Sequence, residues 1–234
     1  VLVHVDALRS NPREYLTATK WWIKRRRVRA RGQFAPLLSR SPRAYRLWLS
    51  RQRYHHSMLA SPSDAPVIIA LIDVRQDHVR RNLAATQASL ALEGIEPLVI
   101  GSTETPTLVA AVRQIDWSIQ PWLLPLSPGD RIAPGTAAAY RKAMRMGSGA
   151  KARLIYADDD LLFGRRRQDP HFKPDWNSEL FAHADYLTGA CLLQASEVDL
   201  AAVADSADWA ARLTAKIAGK GTPHHLPAML HHRQ

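Results

Sequence analysis

Residues 67–73 read Val-Ile-Ile-Ala-Leu-Ile-Asp, a short and unbroken apolar run that ends in an acid. Such a run is typical of a strand that is buried on both faces of a parallel sheet, and it is far too short to span a membrane. A similar pattern predicts three later strands, at residues 98–100, 122–124 and 153–156. Each of these segments is closely followed by a Gly, a Pro or an Asp, which are residues that end strands.

Helical patterns lie between the predicted strands. Residues 77–92, 105–115 and 134–146 are rich in helix-forming residues, and a Gly closely follows the first and the third of them. The alternation predicts an α/β fold, with a mostly parallel sheet and helices on both faces. Ligands of such sheets bind at the carboxyl ends of the strands. We therefore expect Asp73, Asp130 and the triplet Asp158-Asp159-Asp160 to lie at one edge.

The composition excludes several classes of protein. The chain has 234 residues, of which 46% are hydrophobic and 23% are charged, so it is neither disordered nor collagen-like. Its one cysteine, Cys191, rules out a disulfide scaffold and favours a reducing, cytoplasmic setting. The chain begins at Val1 without a Met or a signal-peptide pattern, which indicates a piece of a longer protein.

The positive charge is concentrated at one end of the chain. The net charge is +11, but residues 1–56 hold 14 Lys and Arg and only two acids, whereas the remainder is close to neutral. We therefore predict two parts, a basic arm rich in aromatics at residues 1–60 and an α/β domain at residues 61–234. The arm reads as helical, with a helix start at Asn11-Pro12 and a second helical stretch at residues 41–56.

Two interpretations of the arm carry equal weight. Trp21-Trp22 stands beside the run Lys24-Arg25-Arg26-Arg27, a combination that suits the headgroup layer of an anionic membrane. The alternative is a solvated linker helix that joins the domain to a preceding segment. Nucleic acid ranks third as a partner, because no known nucleic-acid-binding motif accompanies the charge.

The acidic triplet is the strongest candidate for chemistry. Asp158 and Asp160 can point the same way from an extended segment and so meet one divalent ion, with diphosphate oxygens in the remaining positions. Mn²⁺ or Mg²⁺ is the cofactor that such oxygen ligands favour. On spacing alone a solvated acidic turn is favoured over a metal site. For the nearby Arg165-Arg166-Arg167, a solvated loop is favoured over a phosphate site.

The residues that follow the triplet carry a family resemblance. Residues 154–160, Leu-Ile-Tyr-Ala-Asp-Asp-Asp, precede residues 170–177, Pro-His-Phe-Lys-Pro-Asp-Trp-Asn, and then Leu180 and Tyr186. This order resembles the family 2 glycosyltransferases of bacterial surface-polysaccharide synthesis. Residues 208–213 and 225–233 are similar to that family's acidic helix and closing segment. The resemblance covers residues 66–233, is specific from Leu154 onward, and implies a GT-A-like, Rossmann-like fold.

The N-terminal half departs from that family's pattern. Residues 70–73 lack the family's Pro-x-Tyr-Asn turn, and residues 99–103 keep only Gly-Ser of its second, acidic motif. Its metal motif appears as residues 126–130, in which only the last acid, Asp130, is retained. Either Asp130 acts together with Asp158 and Asp160, or metal and donor binding are weakened.

The resemblance assigns roles to single residues. Asp208 is implied as the catalytic base, for which a helix-terminus acid is an equal alternative, and Trp176 can serve packing instead of stacking on a sugar. The implied metal ligands are Asp130, Asp158, Asp160 and His232; the donor-binding residues are Asp73, Asp130 and Asp159; the acceptor-binding residues are Lys173, Asp175 and Trp176.

The implied activity is the metal-dependent, inverting transfer of a sugar from a nucleotide-diphosphate donor. The acceptor is a polysaccharide or a lipid-linked glycan, and the protein is expected in the cytoplasm, at the inner face of the membrane if the arm binds lipid. The alternative is a catalytically weak domain of the same fold that binds glycan or partner chains.

Overall fold

The computed structural model describes residues 2–41, 43–51, 66–75, 82–145, 149, 151–164 and 166–234. The chain divides into two compact units, Val1–His55 and His56–Gln234. The predicted boundary between residues 60 and 61 lies outside the described residues, as do residues 52–56 of the second predicted arm helix and residues 77–81 of the first predicted domain helix.

The first unit contains four described helices, α1 (Leu2–Ser10), α2 (Pro12–Ile23), α3 (Arg27–Ser39) and α4 (Ala44–Arg51). The predicted helix start is confirmed, because the Asn11 side chain accepts a hydrogen bond from the Glu14 N–H at 3.3 Å and Pro12 is the first helical residue. Small side chains are buried where α1, α2 and α3 meet, namely Ala7, Ala18 and Ala30. The rings of Tyr15 and Phe34 lie 5.3 Å apart, so α2 and α3 form an antiparallel hairpin.

The second unit is an α/β domain built on a sheet of eight strands. The strands are β1 (Ile68–Asp73), β2 (Glu96–Ile100), β3 (Trp122–Leu126), β4 (Arg131–Ile132), β5 (Leu154–Phe163), β6 (Arg166–His171), β7 (Cys191–Leu193) and β8 (His224–Arg233). The helices are α5 (Leu83–Leu92), α6 (Leu108–Gln114), α7 (Thr136–Arg145), α8 (Ser178–His183), α9 (Glu197–Ala201) and α10 (Trp209–Ala218).

The sheet is mixed, which corrects the expectation of a mostly parallel one. Its order is β2-β1-β3-β7-β5-β8-β4, with β6 paired to β5. Among the described residues three strand pairs are parallel and four are antiparallel. For the β5–β6 pair the physical reason is connection length, because parallel neighbours need a long crossover whereas the turn at Gly164 is short. Even so, β1, β2, β3, β5 and β8 run in one direction.

Both faces of the sheet are covered, as predicted. Leu71 of β1 packs into a cluster with Leu108 of α6 and Leu213 of α10. The neighbouring Ile72 packs into a second cluster with Leu90 of α5 and Tyr140 of α7. Side chains alternate between the two faces of a strand, so one continuous apolar run supplies both clusters. In the part of the chain that is described, no helix combines the length and the apolar character needed to cross a bilayer.

Candidate functional site

The strand register places two of the predicted site residues at the same height along the strand direction, at one edge of the sheet. Leu123 of β3 pairs with Ile69 of β1 and with Leu193 of β7, and Leu193 pairs with Leu154 of β5. Asp73 and Asp158 each lie four residues beyond the members of that row in β1 and β5. They therefore share a level at the carboxyl edge, where ligands of α/β sheets bind.

A cleft of about 470 Å³ opens at this edge. Asp73 at the end of β1 and Ser127 just after β3 line one part of it. The segment before β7 and the start of α10 line the rest, with Thr188, Gly189, Ala207 and Trp209. A cavity of this size is within the range that holds a small organic ligand.

Asp73 holds two side chains in place at the cleft. Its carboxylate accepts hydrogen bonds from the Arg75 backbone N–H, the Arg75 guanidinium (Nη2 at 2.7 Å) and the Trp209 indole N–H at 2.9 Å. Burial raises the pKa of Asp73, but these donors outweigh it and hold the pKa below its usual value. Because its acceptor positions are occupied, Asp73 as arranged orients Arg75 and Trp209.

Thr188 is a cleft residue that the sequence did not single out. Its hydroxyl oxygen is buried, and no described residue lies within hydrogen-bonding geometry of it. A buried polar group without a partner is costly, so this hydroxyl is available to a ligand in the cleft. Its only sequence signal is its place two residues after Tyr186, which is part of the family resemblance.

Asp158 lies beyond the cleft and belongs to a chain of ionisable groups. Its Oδ1 accepts a hydrogen bond from the Lys173 backbone N–H at 2.9 Å and lies 3.0 Å from His225 Nε2. His225 Nδ1 lies 3.1 Å from Asp175, and its ring stacks on Tyr156 with centroids 4.8 Å apart. Burial lowers the pKa of His225, but the two carboxylates outweigh it and raise the pKa above the usual value.

Asp159 is buried and surrounded by basic side chains. Lys173 Nζ lies 2.9 Å from it, Arg233 Nη2 2.6 Å and His171 Nδ1 3.6 Å. The Lys173 side chain is itself fully buried. Lys173 therefore neutralises Asp159 inside the domain, and its ammonium has no open path to an acceptor glycan.

Asp160 is fully buried and has two basic partners. The Arg167 guanidinium donates to it at 2.6 Å, and His232 Nδ1 lies 2.6 Å away on β8. The triplet is thus part of β5 and not a solvated turn. Arg166 and Arg167 lie in β6 and not in a solvated loop, whereas Arg165 is outside the described residues.

Asp130 lies in the turn between β3 and β4. It accepts hydrogen bonds from the Ser127 N–H at 3.3 Å and the Gln234 N–H at 3.1 Å. Burial raises its pKa to about 6, because these two hydrogen bonds and the nearby Arg233 compensate only part of the desolvation.

The predicted metal ligands do not fit a divalent ion as they are arranged. Asp158 and Asp160 are occupied by different N–H and basic partners, and His232 faces Asp160. In the described ranges, no three His, Cys, Asp or Glu side chains form a group that could hold a metal. A divalent ion needs several carboxylate or carbonyl oxygens directed at one point.

The remaining predicted residues are more exposed or serve packing. Asp208 precedes α10, between the cleft residues Ala207 and Trp209, and its half-exposed carboxylate pairs with Arg212 at 2.7 Å. The hydrogen bond from Arg212 is the main cause of its lowered pKa. Trp176 packs on Phe181 with ring centroids 5.3 Å apart, so at least part of its role is structural.

Comparison with known proteins gives no match to any family model and none to a curated protein. Fold and site define the class of the second unit as an α/β domain with a ligand-sized cleft at the carboxyl edge of its sheet. The resemblance to family 2 glycosyltransferases rests on the motifs in residues 154–233.

Proposed function

We propose that the second unit is an inverting glycosyltransferase with a GT-A-like fold. It transfers a sugar from a nucleoside diphosphate to a polysaccharide or lipid-linked acceptor. The observation that carries the proposal is the position of the cleft, since the ends of β1 and β3 and the start of α10 line it. Asp208 stands at that helix start, where the resemblance requires the base.

The chemistry needs a base for the acceptor and positive charge for the leaving group. The acceptor oxygen attacks the anomeric carbon, its proton passes to the Asp208 carboxylate, and the bond to the diphosphate breaks. Arg212 keeps that carboxylate ionised, as a proton acceptor must be. Arg75, whose guanidinium is held by the cleft residue Asp73, is the described cation that we assign to the diphosphate.

The test compares Asp208→Asn with Asp205→Asn, an exposed aspartate three residues earlier. Release of nucleoside diphosphate is followed with a panel of nucleotide sugars and a lipid-linked or polysaccharide acceptor. Loss of a general base typically lowers turnover by about 10² to 10⁴ and leaves ground-state binding intact. We expect that loss for Asp208→Asn, with donor affinity retained, and near-parent turnover for Asp205→Asn. Parent-like turnover of Asp208→Asn would contradict the assignment.

A second candidate is a glycan-binding domain without turnover. It is favoured by the occupied carboxylates of Asp158, Asp159 and Asp160, which leave no described metal group near the cleft. In the same assay this candidate predicts no nucleoside diphosphate release from the parent chain, together with measurable binding of the acceptor glycan.

A further inference from the structure

The turn between α2 and α3 carries three large apolar side chains that face solvent. Trp22 is 64% exposed, Ile23 is 69% exposed and Val28 is 87% exposed. They lie on the two sides of one turn, because α2 ends at Ile23 and α3 begins at Arg27. Single exposed apolar residues are common, but three beside one turn make this end of the hairpin a candidate interaction surface.

The same turn also carries several cationic side chains. Lys24, Arg25, Arg26, Arg27 and Arg29 are all exposed, and no acid lies between them. Two of the cations also contact the neighbouring indole, since the Arg29 guanidinium lies 4.1 Å and the Lys24 ammonium 5.9 Å from the Trp21 ring centroid. The hairpin tip, residues 21–29, therefore combines exposed apolar side chains with exposed positive charges.

Backbone hydrogen bonds fix the shape of the tip. The Arg26 N–H donates to the Trp21 carbonyl and the Arg25 N–H to the Trp22 carbonyl, both at 3.0 Å. This is the pattern of a Schellman helix end, with Arg25 at φ 58° in the left-handed region that Gly favours. The apolar and basic side chains are thus presented by an ordered turn between two packed helices.

A cleft beside the hairpin tip is also lined by both apolar and basic side chains. Its volume is about 850 Å³, and its lining includes Trp22, Arg27, Arg31, Phe34 and Leu38. The two guanidinium groups suit a phosphate, and the aromatic and aliphatic side chains suit an acyl chain or the glycerol region of a lipid.

We infer that the hairpin tip docks on an anionic phospholipid bilayer. Trp22, Ile23 and Val28 enter the headgroup layer, while Lys24 to Arg27 and Arg29 contact lipid phosphates. Charge complementarity selects this partner, because residues 1–56 hold 14 Lys and Arg against two acids, and one of those acids, Asp6, is paired with Arg43 and Ser41. The inference does not depend on the proposed transfer activity.

The test measures partition of the full chain onto vesicles of phosphatidylcholine with about one third phosphatidylglycerol, and onto phosphatidylcholine alone. The parent should bind the anionic vesicles only, and high salt should weaken the binding. The triple variant Trp22→Ser, Ile23→Ser, Val28→Ser should bind about 100-fold more weakly, because three apolar side chains no longer enter the headgroup layer. Circular dichroism should be unchanged, since all three are exposed.

Two further variants sharpen the test. Arg25→Gly suits the left-handed turn and removes one charge, so it should keep the fold and weaken binding about fivefold. Leu16→Ser is the matched control, because Leu16 is 61% exposed on α2 but lies away from the turn, and it should bind within about twofold of the parent.

Several results would overturn the inference. These are parent-like binding of the triple variant, an equal loss in Leu16→Ser, and equal binding of the parent to neutral vesicles. A parent chain that binds a short DNA duplex but not the anionic vesicles would make the arm a nucleic-acid surface instead.

Discussion

Asp159 illustrates how a buried carboxylate is kept in this domain. It is 2% exposed and pairs with Lys173 and Arg233, while its neighbours Asp158 and Asp160 have basic partners of their own. Removing a charge from water costs several kcal/mol, which ion pairing and hydrogen bonds must offset. The triplet is therefore stable in a strand only because β6, β8 and the Lys173 segment place bases against it.

Lys173→Met should be strongly destabilising. The Lys173 ammonium and the Asp159 carboxylate are both buried. Removal of the ammonium leaves a buried carboxylate charge that Arg233 and His171 compensate only in part. We expect a loss of about 3 kcal/mol in the free energy of unfolding, measured by urea denaturation.

Arg212→Met is the control for that experiment, because it breaks the exposed pair with Asp208. Exposed pairs contribute little to stability because water screens them, so this variant should unfold close to the parent midpoint. Equal losses in both variants would show that Lys173 does not act through a buried ion pair.

Asp130 should make stability depend on pH. Its pKa is raised by burial to about 6, so between its unfolded value and about 6 the folded chain retains a proton that the unfolded chain has lost. The free energy of unfolding therefore falls as pH rises through that window.

Asp130→Asn removes this penalty. Relative to the parent, the free energy of unfolding of the variant should rise by about 2 to 3 kcal/mol between about pH 4 and about pH 7. Thermal or urea unfolding at several pH values measures the difference. A difference that stays constant with pH would mean that Asp130 titrates normally in the folded chain.

At the level of elements, the strands predicted from sequence are those with apolar sequences. β1, β3 and β5 contain apolar runs that the sheet buries, whereas β2 buries Ile100 and half-buries Leu98 and Val99, and all four predictions are confirmed. The strands that sequence missed are β4 and β7, which are only two and three residues long, and the longer β6 and β8. β6 reads Arg-Arg-Gln-Asp-Pro-His and β8 begins His-His-Leu-Pro, so neither carries an apolar alternation.

The polar strands exist because of their partners, which sequence periodicity does not reveal. β8 pairs with β5 and brings His225, His232 and Arg233 to the acidic triplet. The acids are predicted at the correct edge, but Asp158 and Asp160 are interpreted as metal ligands because His225, His232 and Arg233 lie 67 to 74 residues later in the chain than their partners. Long-range charge pairing of this kind has no local signature.

The turn between β3 and β4 depends on Gly129. Its φ of +105° is a conformation that side chains rarely adopt, and an added Cβ would lie 2.9 Å from the Gln234 side chain. We expect Gly129→Ala to lower the free energy of unfolding by about 1 to 3 kcal/mol. Gly221→Ala is the control, because a Cβ there meets no atom within 4 Å and its φ is not in that region. Near-equal chemical denaturation of Gly129→Ala and the parent would contradict this.

The second unit should fold without the arm. Both of its hydrophobic clusters consist entirely of residues from Ile68 onward. A chain that lacks residues 1–55 should therefore keep a cooperative thermal transition and its strand signal in circular dichroism, while it loses binding to anionic vesicles. An insoluble or non-cooperative product would show that the domain needs the arm.

Calorimetric titration of the full chain measures whether the cleft at the carboxyl edge accepts a nucleoside diphosphate. UDP and other nucleoside diphosphates are titrated with Mn²⁺ and, in parallel, with EDTA. We expect one site for at least one nucleotide, with similar affinity in Mn²⁺ and in EDTA because Asp158 and Asp160 already pair with His225 and Arg167. Binding that requires Mn²⁺ would contradict that arrangement of the carboxylates. If no nucleotide binds with Mn²⁺ or with EDTA, the cleft is not a nucleoside diphosphate site.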